Sequence, residues 1–272
     1  MQYVRTDDNV KIAVYDQNPG GCCETILMIH GWPLAAAMYE YQKEALFKAG
    51  YRVITLDLRG FGRSDAPACG YTYDRMAADI YTVVRCLNLR GFTLVGFSMG
   101  GAIVLRYMAR YNGYGVKKLA LLAAAAPTLT QRPGYPYGVP RSAIDQWIEQ
   151  ASTDRPKLAA DFGQMLFACP QSPELISWLG DLSLEASGVA TVATARALRD
   201  EDGGADLRKV RVPTGIFHGK KDRIVPYELA LVQQEGIPCA TLFPFENSGH
   251  GIFYDELEDF NCCLLNFLQG RC

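Results

Sequence analysis

Short apolar runs alternate along this chain with segments whose apolar residues recur every three or four positions. The runs at 25–30, 52–58, 92–97, 116–124, 213–218 and 241–246 have strand length, and 1–5 with 11–16 read as an opening hairpin. Between them, 38–49, 73–89, 100–111, 227–235 and 255–268 carry helical periodicity. In 73–89, Met76, Ile80, Val83, Val84 and Leu87 fall on one helical face. This alternation predicts an α/β fold: a mostly parallel eight-stranded sheet with helices on both faces. Sites in such sheets collect at the carboxyl ends of the strands. His30, Asp57, Ser98, 218–222 and 246–250 fall there.

The pattern changes between Pro127 and Pro213. Proline and glycine cluster at 132–140, and helical segments follow near 141–151, 156–169, 173–185 and 189–200. The reading is a core of residues 1–127 and 212–272 with a helical cap inserted at 128–211. The cap brings Trp147, Phe162 and Trp178. Each either packs cap on core or walls a substrate pocket beneath it. Its basic residues Arg132, Arg141, Arg155, Lys157, Arg196 and Arg199 are scattered and read as solvated.

Composition narrows the classes. The 272 residues are 49% apolar and 21% charged, with a net charge of −2. No basic surface is expected, so neither nucleic acid nor an anionic membrane is a main partner. No run reaches the length of a membrane span. Residues 1–10 lack the apolar centre of a secretory signal, which makes a cytoplasmic location the expectation. The nine cysteines then read as reduced thiols, mostly small apolar fillers. No C-x-x-C spacing occurs, and no metal site is expected.

The candidate chemistry centres on Gly96-Phe97-Ser98-Met99-Gly100-Gly101. An apolar strand runs into a serine, and a helix begins at once. This is the pattern of a nucleophile elbow, a strained turn that exposes the hydroxyl. A neutral serine needs a base, and the base needs an orienting partner. There are only three histidines. His250 lies in a glycine-flanked loop after the last strand and is the expected base. Asp222, in the loop after 213–218, is the expected acid; otherwise it caps the helix that follows. His30 and His218 read as structural, and Arg59 and Asp65 as residues that fix their loop. The backbone N–H groups of Trp32 and Met99 are the expected oxyanion donors, because Pro33 has none.

Together these residues resemble the α/β-hydrolase superfamily along nearly the whole chain. The resemblance rests on His30-Gly31-Trp32-Pro33, Arg59-Gly60-Phe61-Gly62-Arg63-Ser64-Asp65, the Ser98 elbow, Asp222 and His250. The order Ser, Asp, His is that of this fold. Within it, the first and third motifs look most like capped carboxylesterases grouped with cofactor-free haloperoxidases and perhydrolases. The resemblance implies a serine hydrolase that cleaves a small or medium carboxylic ester through an acyl-enzyme, with no cofactor. Perhydrolysis, lactone opening, C–C cleavage and a ligand receptor with a slow triad remain open alternatives. Relatives with an Asp nucleophile do not fit Ser98.

Overall fold

Eight strands form one sheet in the computed structural model, which describes residues 1–21 and 23–271. They are β1 (Gln2–Arg5), β2 (Lys11–Gln17), β3 (Thr25–Ile29), β4 (Arg52–Leu56), β5 (Phe92–Phe97), β6 (Val116–Leu122), β7 (Thr214–Gly219) and β8 (Ala240–Phe245). Their order across the sheet is β1-β2-β4-β3-β5-β6-β7-β8. β1 with β2 and β2 with β4 pair antiparallel; every other pairing is parallel. The α/β fold read from the sequence is the fold observed.

Burial explains the strand pattern. β5 lies mid-sheet and is buried at all six positions. Both faces are covered, so its sequence is a continuous apolar run rather than an alternation. β8 is an edge strand and holds Pro244, a residue without an N–H that the sheet interior would not accept. The strands expected to reach 58 and 124 stop at Leu56 and Leu122, where the chain turns into loops.

The helices α1 (Glu40–Lys48), α2 (Tyr73–Cys86) and α3 (Met99–Arg110) follow β3, β4 and β5. Thr72 caps α2 by accepting from the Arg75 N–H, and Met76, Ala77, Ile80, Val83 and Val84 form its buried face. Between β6 and β7 come α4 (Arg141–Thr153), α5 (Arg155–Met165), α6 (Pro173–Leu184), α7 (Gly188–Asp200) and α8 (Gly204–Leu207). α4 packs on α7, and α5 on both α4 and α6; α8 lies against α3. After β7 come α9 (Glu228–Gly236), α10 (Ile252–Asp255) and α11 (Leu257–Gln269). The last helix, expected at 255–268, is α11 and starts two residues later, because Glu256, with φ −126°, leaves the helical range and parts it from the short α10.

Two expectations fail in large part. Cys23, Cys69, Cys86, Cys239 and Cys262 are exposed and Cys169 and Cys263 half-exposed; Cys263 packs against the core, but most of the described cysteines are not core fillers. The others stand in loops or on outer helix faces. Cys22 and Cys272 lie outside the described residues. Of the basic residues read as solvated, Arg196 is exposed and the other five are engaged. Arg141 and Arg199 pair with Asp200 and Asp145, Lys157 with Asp161, and Arg132 and Arg155 donate to backbone carbonyls at chain turns.

Arg59 does fix its loop. Its fully buried guanidinium binds Asp79 of α2 at 2.6 and 2.8 Å and Asp8 at 2.9 and 3.1 Å. Burial raises the Asp79 carboxyl, against the pull of Arg59. Removing the cation would leave that buried carboxylate with Arg75, at 3.1 Å, as its remaining cationic partner. Arg59→Met is expected to lose about 3–5 kcal/mol in denaturant unfolding, and Arg59→Met with Asp79→Leu to recover most of it. A loss below about 1 kcal/mol in the single variant would refute the account.

Candidate active site

Ser98 links β5 to α3 with φ 53° and ψ −120°, a region that an L side chain occupies only under strain. Its N–H donates to Leu122 O at 2.9 Å. Its carbonyl accepts from Gly101, Ala102 and Ala125 at 2.9, 3.3 and 3.0 Å. The turn is thus pinned to β6 and to the first turn of α3. The backbones around it touch. A Cβ on Gly100 would sit 2.4 Å from His30 O, and one on Gly31 would sit 2.9 Å from Ser98 Cβ. The 30–33 loop therefore passes directly against the serine.

The histidine loop arrives from the other side. The His250 ring is buried and lies 4.7 Å from the ring of Phe97, the residue before Ser98. Its Nδ1 is 2.7 Å from Asp222 Oδ2. A carboxylate only accepts, so Nδ1 carries the proton and Nε2 of the neutral ring is a bare acceptor. That Nε2 is buried and has no hydrogen-bond partner among the described residues. The loop rests on β7 at backbone distance: a Cβ on Gly219 would meet Gly249 O at 2.2 Å.

Asp222 contacts His250 and closes the turn before α9, but it does not cap that helix, whose N-cap residue is Tyr227. Its Oδ1 accepts from the N–H groups of Ile224 and Val225, each at 2.8 Å, closing the turn before α9. Its Oδ2 meets His250, with His218 Nε2 at 3.3 Å. Burial alone would raise the Asp222 carboxyl. The two histidines outweigh it and hold the group well below the usual carboxylate range.

The remaining expected residues fall nearby. Met99 opens α3, where an N–H has no acceptor within the helix. Trp32 is buried; its indole N–H donates to Thr191 O at 3.0 Å. Its ring stacks on Trp147 at 5.6 Å and meets the edge of Phe162 at 5.3 Å, so α4, α5 and α7 all touch this residue. Trp178 is half-buried on α6. His30 is buried and locked: Nδ1 meets Gly31 O and Nε2 accepts from the Leu58 N–H, both at 2.9 Å. Burial lowers its pKa, the nearby Asp57 notwithstanding, which keeps the ring neutral.

Three residues that hold the site were missed or left without a role. Asp57 accepts from the Ala36 N–H, the Tyr15 hydroxyl and the Arg63 N–H at 2.8, 2.8 and 2.9 Å, bracing the chain after the 30–33 loop. Asp255 accepts from the Gly249 N–H at 2.7 Å. Glu256 accepts from the Asn247 N–H and the Ser248 hydroxyl at 3.1 and 2.6 Å. In the sequence Asp57 is marked only by its place at a strand end, and Asp255 and Glu256 only as two adjacent acids soon after His250.

Residues 24–257 match the alpha/beta hydrolase fold family. The chain is 49% identical to the AB hydrolase superfamily protein YisY of Bacillus subtilis (strain 168), over 97% of this chain and 98% of that one. An esterase of Exiguobacterium antarcticum superposes with a TM-score of 0.95 at 45% identity, covering 98% and 99% of the two chains. A bromoperoxidase of Bacillus anthracis does so with 0.94 at 33%, again over 98% and 99%.

The depressed Asp222 makes an acid-stability test. Below about pH 4 an unfolded carboxyl takes a proton that folded Asp222 still refuses. The unfolded state then binds more protons, and stability falls with pH by up to about 1.4 kcal/mol per unit from this group. Asp8, held at about 2 chiefly by its hydrogen bond to Arg59, acts with the same sign in any variant. Unfolding between pH 4 and 2 is expected to show a shallower slope in Asp222→Asn than in the wild type. Parallel slopes would mean that Asp222 is not held ionised by the fold.

Proposed function

The chain belongs to the α/β-hydrolase fold family, and on that premise we propose that it is a serine hydrolase of small or medium carboxylic esters. Ser98 Oγ attacks the ester carbonyl while His250 Nε2 takes its proton. The tetrahedral oxyanion accepts from the backbone N–H groups of Trp32 and Met99. As it collapses, the alcohol leaves with the proton from His250, and the acyl group stays on Ser98. A water then gives its proton to His250 and attacks the acyl-enzyme, releasing the acid and restoring the serine. Asp222 stays ionised throughout and stabilises the imidazolium. This chemistry calls for no metal and no organic cofactor.

One observation carries the reading. A buried imidazole is held by a carboxylate through Nδ1, its Nε2 is unpartnered, and its ring packs on the residue before a serine in left-handed conformation. An unpartnered acceptor nitrogen close to a strained serine turn fits nucleophilic catalysis better than it fits packing. The likeness to an esterase supports the ester as substrate class. The inserted helices at 128–211 are read as a cap, with Trp147 and Phe162, which pack on Trp32, beside an apolar acyl pocket. The engagement of most of the cap cations agrees with uncharged acyl chains. A second reading comes from the likeness to a bromoperoxidase. Hydrogen peroxide in place of water would attack the same acyl-enzyme and release a peracid; a peracid assay on the same esters separates the two.

Ser98→Ala is expected to lower kcat for p-nitrophenyl esters by about 10⁴- to 10⁶-fold with the fold intact, and a serine-directed phosphonate to label Ser98 alone. Activity near wild type, or label on another serine, would sink the mechanism. For the pocket, Trp147→Ala and Phe162→Ala are expected to move the acyl-length optimum to longer chains, with kcat/KM changing roughly 10- to 200-fold near it. Trp178→Ala belongs in the same series, with circular dichroism checking each fold. Profiles that overlay the wild type in all three would remove these residues from the pocket.

A further inference from the structure

Asp255 ends α10, five residues past His250, and its carboxylate gathers donors from two distant stretches of chain. Oδ2 accepts from the Gly249 N–H at 2.7 Å and from the Ala168 N–H at 2.9 Å. Oδ1 accepts from the Cys169 N–H at 3.0 Å and from Gln171 Nε2 at 3.3 Å. One donor comes from the histidine loop and three from the connection between α5 and α6. The two backbones also meet directly. Gly251 N–H donates to Leu166 O at 2.7 Å, and a Cβ on Gly249 would lie 2.9 Å from Ala168 N. Bonds to an ionised acceptor are the stronger kind, and four on one side chain fix both partners.

We propose that Asp255 is a positioning residue for the base: it sets where the His250 backbone stands by tying that loop to the 166–171 connection. The proposal rests on the reading of His250 as the base. Asp222 holds the ring at Nδ1 and Phe97 supports one face, but neither contact fixes the backbone from which the ring hangs. Glu256 binds Asn247 and Ser248, one step earlier in the loop. Gly249, the residue directly before His250, is held by Asp255. Without that carboxylate the Gly249 N–H and the connection lose their common acceptor. The loop relaxes, and the imidazole leaves its place beside Ser98. Asp255 takes no part in proton transfer and its donors are all protein groups, so its loss acts on turnover and little on substrate affinity.

The test uses the full chain, with Asp255→Ala, Asp255→Asn and Ser98→Ala assayed beside the wild type. The readouts are kcat and KM on p-nitrophenyl butyrate, phosphonate titration of competent sites, and the far-downfield NMR proton of the His250–Asp222 bond. Asp255→Ala is expected to lower kcat per titrated site on the order of 100-fold, the penalty of a misplacement near 1 Å, with KM little changed. Its imidazole proton should broaden through faster exchange. Asp255→Asn keeps one acceptor oxygen and should recover part of both signals. An Ala variant with wild-type kcat per site and a sharp imidazole proton overturns the proposal. If that variant does not fold, the Asn variant decides: wild-type kcat and proton line in Asn overturn it, and an intermediate loss of both supports it. Ester turnover in Ser98→Ala would instead overthrow the serine mechanism. The imidazole proton of the Asp255 variants would still decide whether Asp255 positions the ring.

Discussion

Ser98 at φ 53° is the constraint around which the neighbouring chain is arranged. A residue does not stay in that region unless its surroundings over-determine it. Here β6 takes its N–H, and three N–H groups from α3 and the chain after β6 take its carbonyl. The strand, the helix and the next strand must then lie close enough for their backbones to bond across one residue. That closeness is what removes side chains around the turn. The 30–33 loop touches α3 through His30 O and Gly100, and touches Ser98 through Gly31. His30 spends its side chain on the same task, bridging Gly31 and Leu58 while remaining neutral.

Asp222 shows how structure and chemistry share one group. A buried carboxylate is unfavourable unless it is paired and bonded. Two backbone N–H groups and two imidazoles meet that need, and the outcome is a group held ionised. The turn before α9 needs the carboxylate as much as His250 does. Removing it disturbs the fold and the proposed base together, so stability and turnover must be measured side by side at this position. His218 belongs to the same balance: its Nε2 faces both Val225 O at 2.8 Å and Asp222.

The fold was legible because a sheet covered on both faces leaves apolar runs, and because α2 shows a clean buried face. The candidate residues were legible for a related reason. Ser98 directly follows a strand, and Asp222 and His250 come three and five residues after one, in loops marked by glycine, where few other roles compete. What the sequence did not reveal depends on partners far along the chain. Asp255 and Glu256 look like first-turn acids of a helix, since acids belong there. Nothing local says that the helix breaks at Glu256, or that Asp255 reaches Ala168 and Cys169, 87 and 86 residues away. The cysteines misled because burial tendency belongs to a residue type, whereas exposure is set by which helix face or loop carries it. For Trp32 the sequence pointed to the backbone N–H and was silent on the indole, whose partners Trp147 and Phe162 lie in another segment.

The inserted helices meet the core at both sides of Ser98. On one side Trp147, Phe162 and Thr191 O grip the side chain of Trp32, whose N–H is the proposed oxyanion donor. On the other, Leu166, Ala168 and Cys169 join the loop of the proposed base. One element serves both. α5 carries Phe162 and runs directly into Leu166, so any shift of this helix moves the two grips together. Packed interiors pass such shifts on rather than absorb them. On the proposed reading, an acyl group that pressed on α5 would therefore alter the donor and the base at once, and substitutions in this helix should change rate and selectivity together.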